Sequence, residues 1–198
     1  MTMERLVVAT RNEHKLRELR EAMPGVPLDP LPGEVELPPE DGESFEANAL
    51  IKARAASAAT GRPALADDSG IEAAALGGRP GVRSARYAGE SASDEENLRK
   101  LLEEVGEGDR RVAYVCALAL VRGPAEELVV EGRCEGTLDP HPRGEGGFGY
   151  DPAFVPDDTG REDPRTMAEL SPGEKHAISH RGRAARAMAA RIESDGGR

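Results

Sequence analysis

The chain of 198 residues has no tryptophan, three tyrosines, three phenylalanines and two cysteines. Two cysteines cannot make a disulfide framework. Cys116 and Cys134 both lie in apolar, strand-like runs, so they read as reduced core residues of a cytoplasmic protein. No apolar run approaches the roughly 20 residues that cross a bilayer. The start, Met1-Thr-Met-Glu-Arg into Leu6-Val-Val-Ala, is too short and too quickly polar for a secretory signal. Basic residues are also scarce, 26 against 37 acidic ones, leaving a formal charge of −11. Such a surface repels nucleic-acid backbones. Any phosphate it binds must be a small one, gripped locally by a few basic groups or by such groups together with a metal ion.

What is abundant is turn chemistry, with 23 glycines and 15 prolines. The length suits one large domain, expected over residues 1–193, with a disordered tail over 194–198. Arg5–Thr10 reads as a buried strand and Asn12 as the cap of a helix over Glu13–Ala22 that carries Leu16 and Leu19 on one face. Prolines forbid regular structure between Pro24 and Pro39, apart from a short strand near Val35. Ser44 caps a helix with Phe45, Ala49, Ile51, Ala53 and Ala56 on its apolar side, stopped by Gly61-Arg62-Pro63. Ala64–Ala66 predicts a short strand ending in an Asp67–Gly70 turn, and Ile71–Tyr87 an irregular loop. Ser93 and Glu96 form a capping box for a helix through Val105. Val112–Val121 predicts a central strand, returning through Gly123-Pro124 as Leu128–Cys134. Arg143–Tyr150 is a glycine-rich loop, Ala153–Val155 a short strand, and Ser171–Glu174 a second capping box opening a helical region that ends near Ile192. Alternating helices and strands with one local hairpin predict a mixed α/β fold around a twisted sheet.

Four stretches carry chemistry. Thr10-Arg-Asn-Glu-His-Lys15 is a strand–turn–helix start, where backbone N–H groups and a lysine attract anions. Asp67-Asp68-Ser69-Gly70 places two carboxylates at a strand end; oxygen ligands of this kind suit Mg²⁺, with Glu40 and Asp41 a further source of carboxylate. Gly144–Pro152 holds Phe148 between glycines, so that backbone and ring can approach a flat base. Lys175, Ser179, His180 and Arg181 form a basic cluster, with Lys175 and Ser179 one turn apart on a shared face, as are Asn48 and Lys52 on the second helix.

In this order the stretches resemble the inosine triphosphate pyrophosphatase family, the non-standard purine NTP pyrophosphatases (XTP/dITP diphosphatases). The resemblance rests on Ala9–Lys15, Gly42–Arg54, Ala64–Gly70, Leu76–Tyr87, Gly147–Pro152, Ala168–Ser171 and Ile178–Gly182, spanning Leu6 to about Met188. It implies an elongated two-lobed α/β subunit with a central nucleotide cleft, a homodimer, and Mg²⁺-dependent hydrolysis of ITP, dITP and XTP to the monophosphate and pyrophosphate. By the same resemblance Asp68 is the metal-bound catalytic carboxylate, with Glu40 as its companion at the metal. Thr10, Arg11, Asn12, Glu13, His14, Lys15 and Lys52 fall to the phosphates. Ser69, Phe148, Gly149, Tyr150, Asp151, Lys175, His180 and Arg181 are substrate contacts. Two positions depart from the family pattern: His14 stands where a glycine is common, and Pro39 where an acidic residue sometimes precedes the second helix. The similarly folded Maf-like nucleotide pyrophosphatases differ at Gly147–Pro152 and Ser179–Gly182.

Hydrogen bonding suggests how the base would be chosen. Hypoxanthine and xanthine present an acceptor at O6 and a donor at N1–H, and adenine presents the reverse. Donors from His180, Arg181 or loop amides, with an acceptor such as Asp151, would leave two mismatched groups against ATP, each costing about 1–3 kcal/mol.

Overall fold

The computed structural model describes residues 4–195 except 124, 161 and 163. Its sheet has six strands, β1 (Leu6–Val8), β2 (Leu28–Pro30), β3 (Ala64–Ala73), β4 (Arg111–Val121), β5 (Glu127–Leu138) and β6 (Phe154–Pro156). Their order is β2-β1-β3-β4-β5-β6. β1 runs parallel to β2 and β3, with Val8 opposite Leu65, whereas β6 is antiparallel to β5. The helices are α1 (Glu13–Ala22), α2 (Phe45–Thr60), α3 (Asp94–Val105), α4 (Pro172–Ile178) and α5 (His180–Asp195). The mixed α/β fold expected from the sequence is present.

Local chemistry explains most boundaries. The Asn12 side chain accepts the N–H groups of His14 and Lys15 and starts α1 at the predicted residue. Ser93 with Glu96, and Ser171 with Glu174, close complete capping boxes on α3 and α4. α2 begins at Ser44 and ends at the left-handed Gly61, as read from the sequence.

The structure corrects several expectations. The short strand lies at Leu28–Pro30 and not near Val35, because only the former reaches β1; Pro30, lacking an N–H, is tolerated on this edge strand. β3 does not stop at Ala66. It continues through Asp67, Asp68, Ser69 and Gly70 to Ala73, because cations meet the carboxylates and the acidic pair has no need to turn toward water. Gly70 then lets the Gly81–Arg86 segment approach: a Cβ there would lie 2.3 Å from Ser84 Oγ. On α2, Ile51 is only half-buried while Asn48 and Lys52 join the buried face. The C-terminal helical region breaks after Ser179, whose ψ of 150° is extended; Ser179 still donates its N–H to the Lys175 carbonyl at 2.8 Å, one turn back, but His180 and Arg181 begin a new helix. α5 continues through Asp195, and the last part of the expected tail, 196–198, lies outside the described residues.

The chain divides into two compact units. One holds the described residues up to Asp68, Cys116–Gly132 and those from Arg181 onward; the other holds Ser69–Val115 and Arg133–His180. In the first, α1 (Leu19, Met23) and α5 (Ala184, Ala185, Met188) bury one face made by alternate residues Leu6, Val8, Leu65, Cys116, Leu118 and Leu120. In the second, Leu98, Leu101 and Val105 of α3 pack with Val112, Tyr114, Leu138, Tyr150, Phe154 and Met167. Both cysteines are buried and unbridged.

Candidate active site

Asp67 and Asp68 are neighbours on a strand, so their side chains leave the sheet on opposite faces. Asp67 shares the parity of Leu65 and therefore the side covered by α1 and α5. There its carboxylate meets Lys15 of α1 at 3.0 Å and the Nε of Arg181, in the first turn of α5, at 3.2 Å. Arg181 is only 3% exposed and pairs as well with Glu18 of α1. Asp68 faces α2. Asn48 Nδ2 donates to its Oδ2 at 2.9 Å, and Lys52 Nζ lies 3.9 Å from its Oδ1. The same ammonium is hydrogen-bonded to Glu40 and to the Asp67 carbonyl oxygen at 2.7 Å. Asn48 and Lys52, one helical turn apart, thus aim a donor pair at one carboxylate.

This wiring separates the two acids electrically. Burial pushes Asp67 toward protonation, but Lys15, Arg181 and Lys52 more than reverse it and hold the group below the usual carboxylate range. Asp68 is raised: burial leads, Lys52 opposes, and the Glu40 charge adds to the rise. Lys52 is itself raised, since the surrounding carboxylates outweigh the penalty of its burial. Around the pair the carboxylates of Glu18, Glu40, Asp67 and Asp68 interleave with the cations of Lys15, Lys52 and Arg181. No cage of three or more His, Cys, Asp or Glu side chains gathers among the described residues. Glu40 and Asp68, drawn together on Lys52, instead offer the one or two hard oxygen ligands by which Mg²⁺ is commonly held alongside water and phosphate. The donor set fits that ion.

The Thr10–Lys15 turn is largely satisfied internally. Thr10 Oγ1 accepts the Asn12 N–H at 3.1 Å, and Asn12 Oδ1 accepts those of His14 and Lys15 at 2.9 and 3.2 Å. What the turn presents is therefore the Lys15 side chain. Arg11 donates to the carbonyls of Leu31, Pro32, Gly33 and Val35, pinning the proline-rich segment. Glu13 and His14 are exposed in the first turn of α1, with His14 Nδ1 3.0 Å from Arg17 Nη2.

The second unit gathers the remaining candidates, apart from the half-buried Ser69 at its start. Phe148 is the one large apolar side chain counted as exposed among the described residues, at 36%. Lys175 Nζ sits 5.0 Å from its ring centroid and bonds Asp151 Oδ2 at 2.7 Å. That oxygen also accepts the Phe148 N–H at 2.9 Å. Gly147 has a φ of +74° and a Cβ there would fall 2.1 Å from Asp151 Oδ2, so only glycine fits. Gly149 donates its N–H to Asp94 Oδ2 at 2.8 Å, and the Tyr150 hydroxyl donates to the Ser84 carbonyl at 2.7 Å. His180 is buried and stacks on Tyr114.

Sequence reading passed over Glu18, Asp94, Ser84 and Tyr114. Glu18 carried a signal, standing three residues after Lys15 on the same helix face; the other three act through contacts distant in sequence and carried none. The profile of the Ham1 family matches residues 6–191. A dITP/XTP pyrophosphatase of Mycobacterium tuberculosis is 52% identical over 190 residues, 91% of each chain. One of Symbiobacterium thermophilum is 50% identical over 192 residues, 93% of this chain and 92% of its own. Among solved structures, a HAM1 protein from Coxiella burnetii superposes with a TM-score of 0.88 at 40% identity, covering 97% of this chain and all of its own. Likeness of this order along nearly the whole sequence, with the fold held in common, makes this chain a member of the Ham1 family.

Proposed function

We propose that this chain hydrolyses the non-standard purine nucleoside triphosphates ITP, dITP and XTP to the monophosphate and pyrophosphate, with Mg²⁺ as cofactor. The observation that carries the reading is the Glu40–Lys52–Asp68 cluster beside Lys15 and Asp67, in a chain about half identical to proteins named dITP/XTP pyrophosphatases. Asp68 and Glu40 would hold the metal, which when bound neutralises phosphate charge and makes a coordinated water more acidic. Asp68 takes the proton from the water that attacks the α-phosphorus. Asp67 stays ionised and holds Lys15 in place. Lys15 and Lys52 receive the departing pyrophosphate, Lys52 exchanging part of its contact with Glu40 for phosphate. Arg181, enclosed by Asp67 and Glu18, steadies Asp67 from the side away from Asp68.

Base recognition is the remaining task. Phe148 provides the stacking face, and Lys175 and His180 supply donors suited to O6 of hypoxanthine or xanthine. The Asp151 carboxylate already accepts several donors, so its main task is to orient Phe148 and Lys175. A cytoplasmic homodimer belongs to the same reading and is supported by the family resemblance; sedimentation velocity tests the dimer. The activity is tested by pyrophosphate release from ITP, dITP, XTP, ATP and GTP, with Mg²⁺ and with EDTA. Release confined to the first three and abolished by EDTA is expected; equal turnover of ATP, or turnover that survives EDTA, overturns the assignment.

A further inference from the structure

The glycine-rich loop is tied to its unit at Asp94, at Ser84 and at Tyr114, a residue of β4. Tyr114 is buried, and a buried phenol needs a hydrogen-bond partner. Its hydroxyl donates to Asp151 Oδ1 at 3.1 Å. The opposite oxygen, Oδ2, accepts both the Phe148 N–H and the Lys175 ammonium. A carboxylate turns easily about its last bond, which has broad, two-fold preferences. A donor fixed on Oδ1 therefore decides which way Oδ2 points. The Tyr114 ring is itself immobilised, stacked on Phe154 at 4.4 Å between centroids and on His180 at 4.7 Å with 14° between planes.

We propose that Tyr114 is a positioning residue for base recognition: its hydroxyl sets the Asp151 carboxylate, and through it the Phe148 backbone and the Lys175 ammonium. Burial and the neighbouring Asp151 charge hold the phenol well above its ordinary pKa, so it remains a donor throughout the neutral range. This inference rests on the reading that Phe148, Lys175 and Asp151 hold the base.

The test is a double-mutant cycle on ITP hydrolysis with Tyr114→Phe, Asp151→Asn and the pair. Tyr114→Phe keeps the stacked ring and removes only the hydroxyl. KM for ITP should rise about tenfold, the size expected from losing a hydrogen bond to a charged group, while kcat changes less than about twofold. KM does not depend on how much of the sample is folded. In the Asp151→Asn background the added Tyr114→Phe change should do nothing further. An unchanged KM, a loss confined to kcat, or effects that simply multiply would each overturn the proposal. Because the chain has no tryptophan, Phe148→Trp supplies a single fluorescent reporter. If ITP fails to quench it with Tyr114 intact, the base-platform reading itself fails. Quenching that persists beside an unchanged KM in Tyr114→Phe removes the role of Tyr114 alone.

Discussion

Asp67 and Asp68 show how far one peptide unit can separate two identical side chains. The first is closed in by Lys15 and Arg181; the second faces Asn48, Lys52 and the like charge of Glu40. Asp68→Asn should retain the fold and lower kcat by about 10²–10⁴, the usual contribution of a positioned general base. Pyrophosphate release beside an unchanged circular dichroism spectrum checks it, and near-native turnover would exclude Asp68 from the chemistry. Asp67→Asn should act on stability, since it leaves two cations short of a buried partner. The expected loss is about 3–5 kcal/mol, read by urea unfolding. The pH dependence has a definite sign. Asp67 is depressed in the folded state, so its contribution is complete above the unfolded carboxylate value near 3.9 and is lost as the pH falls below it. Asp68 is raised and works in the opposite direction: its contribution is complete below the unfolded value and is lost as the pH rises above that value. Asp67→Asn should therefore flatten the acid limb of the stability profile, and an unchanged limb would count against its depressed state.

Among the elements, α2 and the Gly147–Asp151 loop do the positioning, each by a different device. α2 is held by its Ser44 cap and by Ala49, Ala53 and Ala56, and this lets it bury Asn48 and Lys52 on the same side. Asn48 Oδ1 accepts the Gly42 N–H at 2.8 Å while its Nδ2 reaches Asp68, so one amide joins the preceding loop to the acid. The 147–151 loop depends on a positive φ and on the absence of a Cβ. Gly147→Ala would drive a methyl group into Asp151 and impose an unfavourable backbone conformation. A stability loss of about 1–3 kcal/mol follows from the overpacking, with KM for ITP rising more than kcat falls. A variant whose KM matches the parent's would show that the loop does not present the base platform. α4 and α5, separated at Ser179, divide the predicted basic cluster: Lys175 and His180 fall in the second unit, and Arg181 in the first.

At the scale of the whole molecule, the charge of −11 coexists with local cations, Lys15 and Lys52, braced by carboxylates, and under the proposed function it is these that an anionic substrate meets. Such bracing fixes Lys15 and Lys52 before any ligand arrives, which lowers the ordering cost of binding. The same packing encloses the thiols. Cys116 is buried in the first core and pushed up to about 12, chiefly by that burial, so it should not react with a thiol reagent at pH 8 in the native state. Its labelling should appear only with urea unfolding, and rapid labelling without denaturant would contradict the burial.

The sequence by itself determined whatever is settled within a few residues. The Asn12 cap, both capping boxes on α3 and α4, the Gly61 stop and the continuous apolar runs that make β1 and β4 buried strands all depend on short-range backbone and side-chain chemistry. The ordered motifs also sufficed to indicate the family. Only the tertiary structure decided that β3 runs on through the acidic pair, that Asp67 belongs to Lys15 and Arg181, and that the Tyr114 hydroxyl meets Asp151. Those outcomes come from burying charge, and a buried charge takes its form from whichever partner the fold delivers. Arg181 reaches Asp67 across 114 positions of sequence and Glu18 across 163, distances over which no local propensity acts.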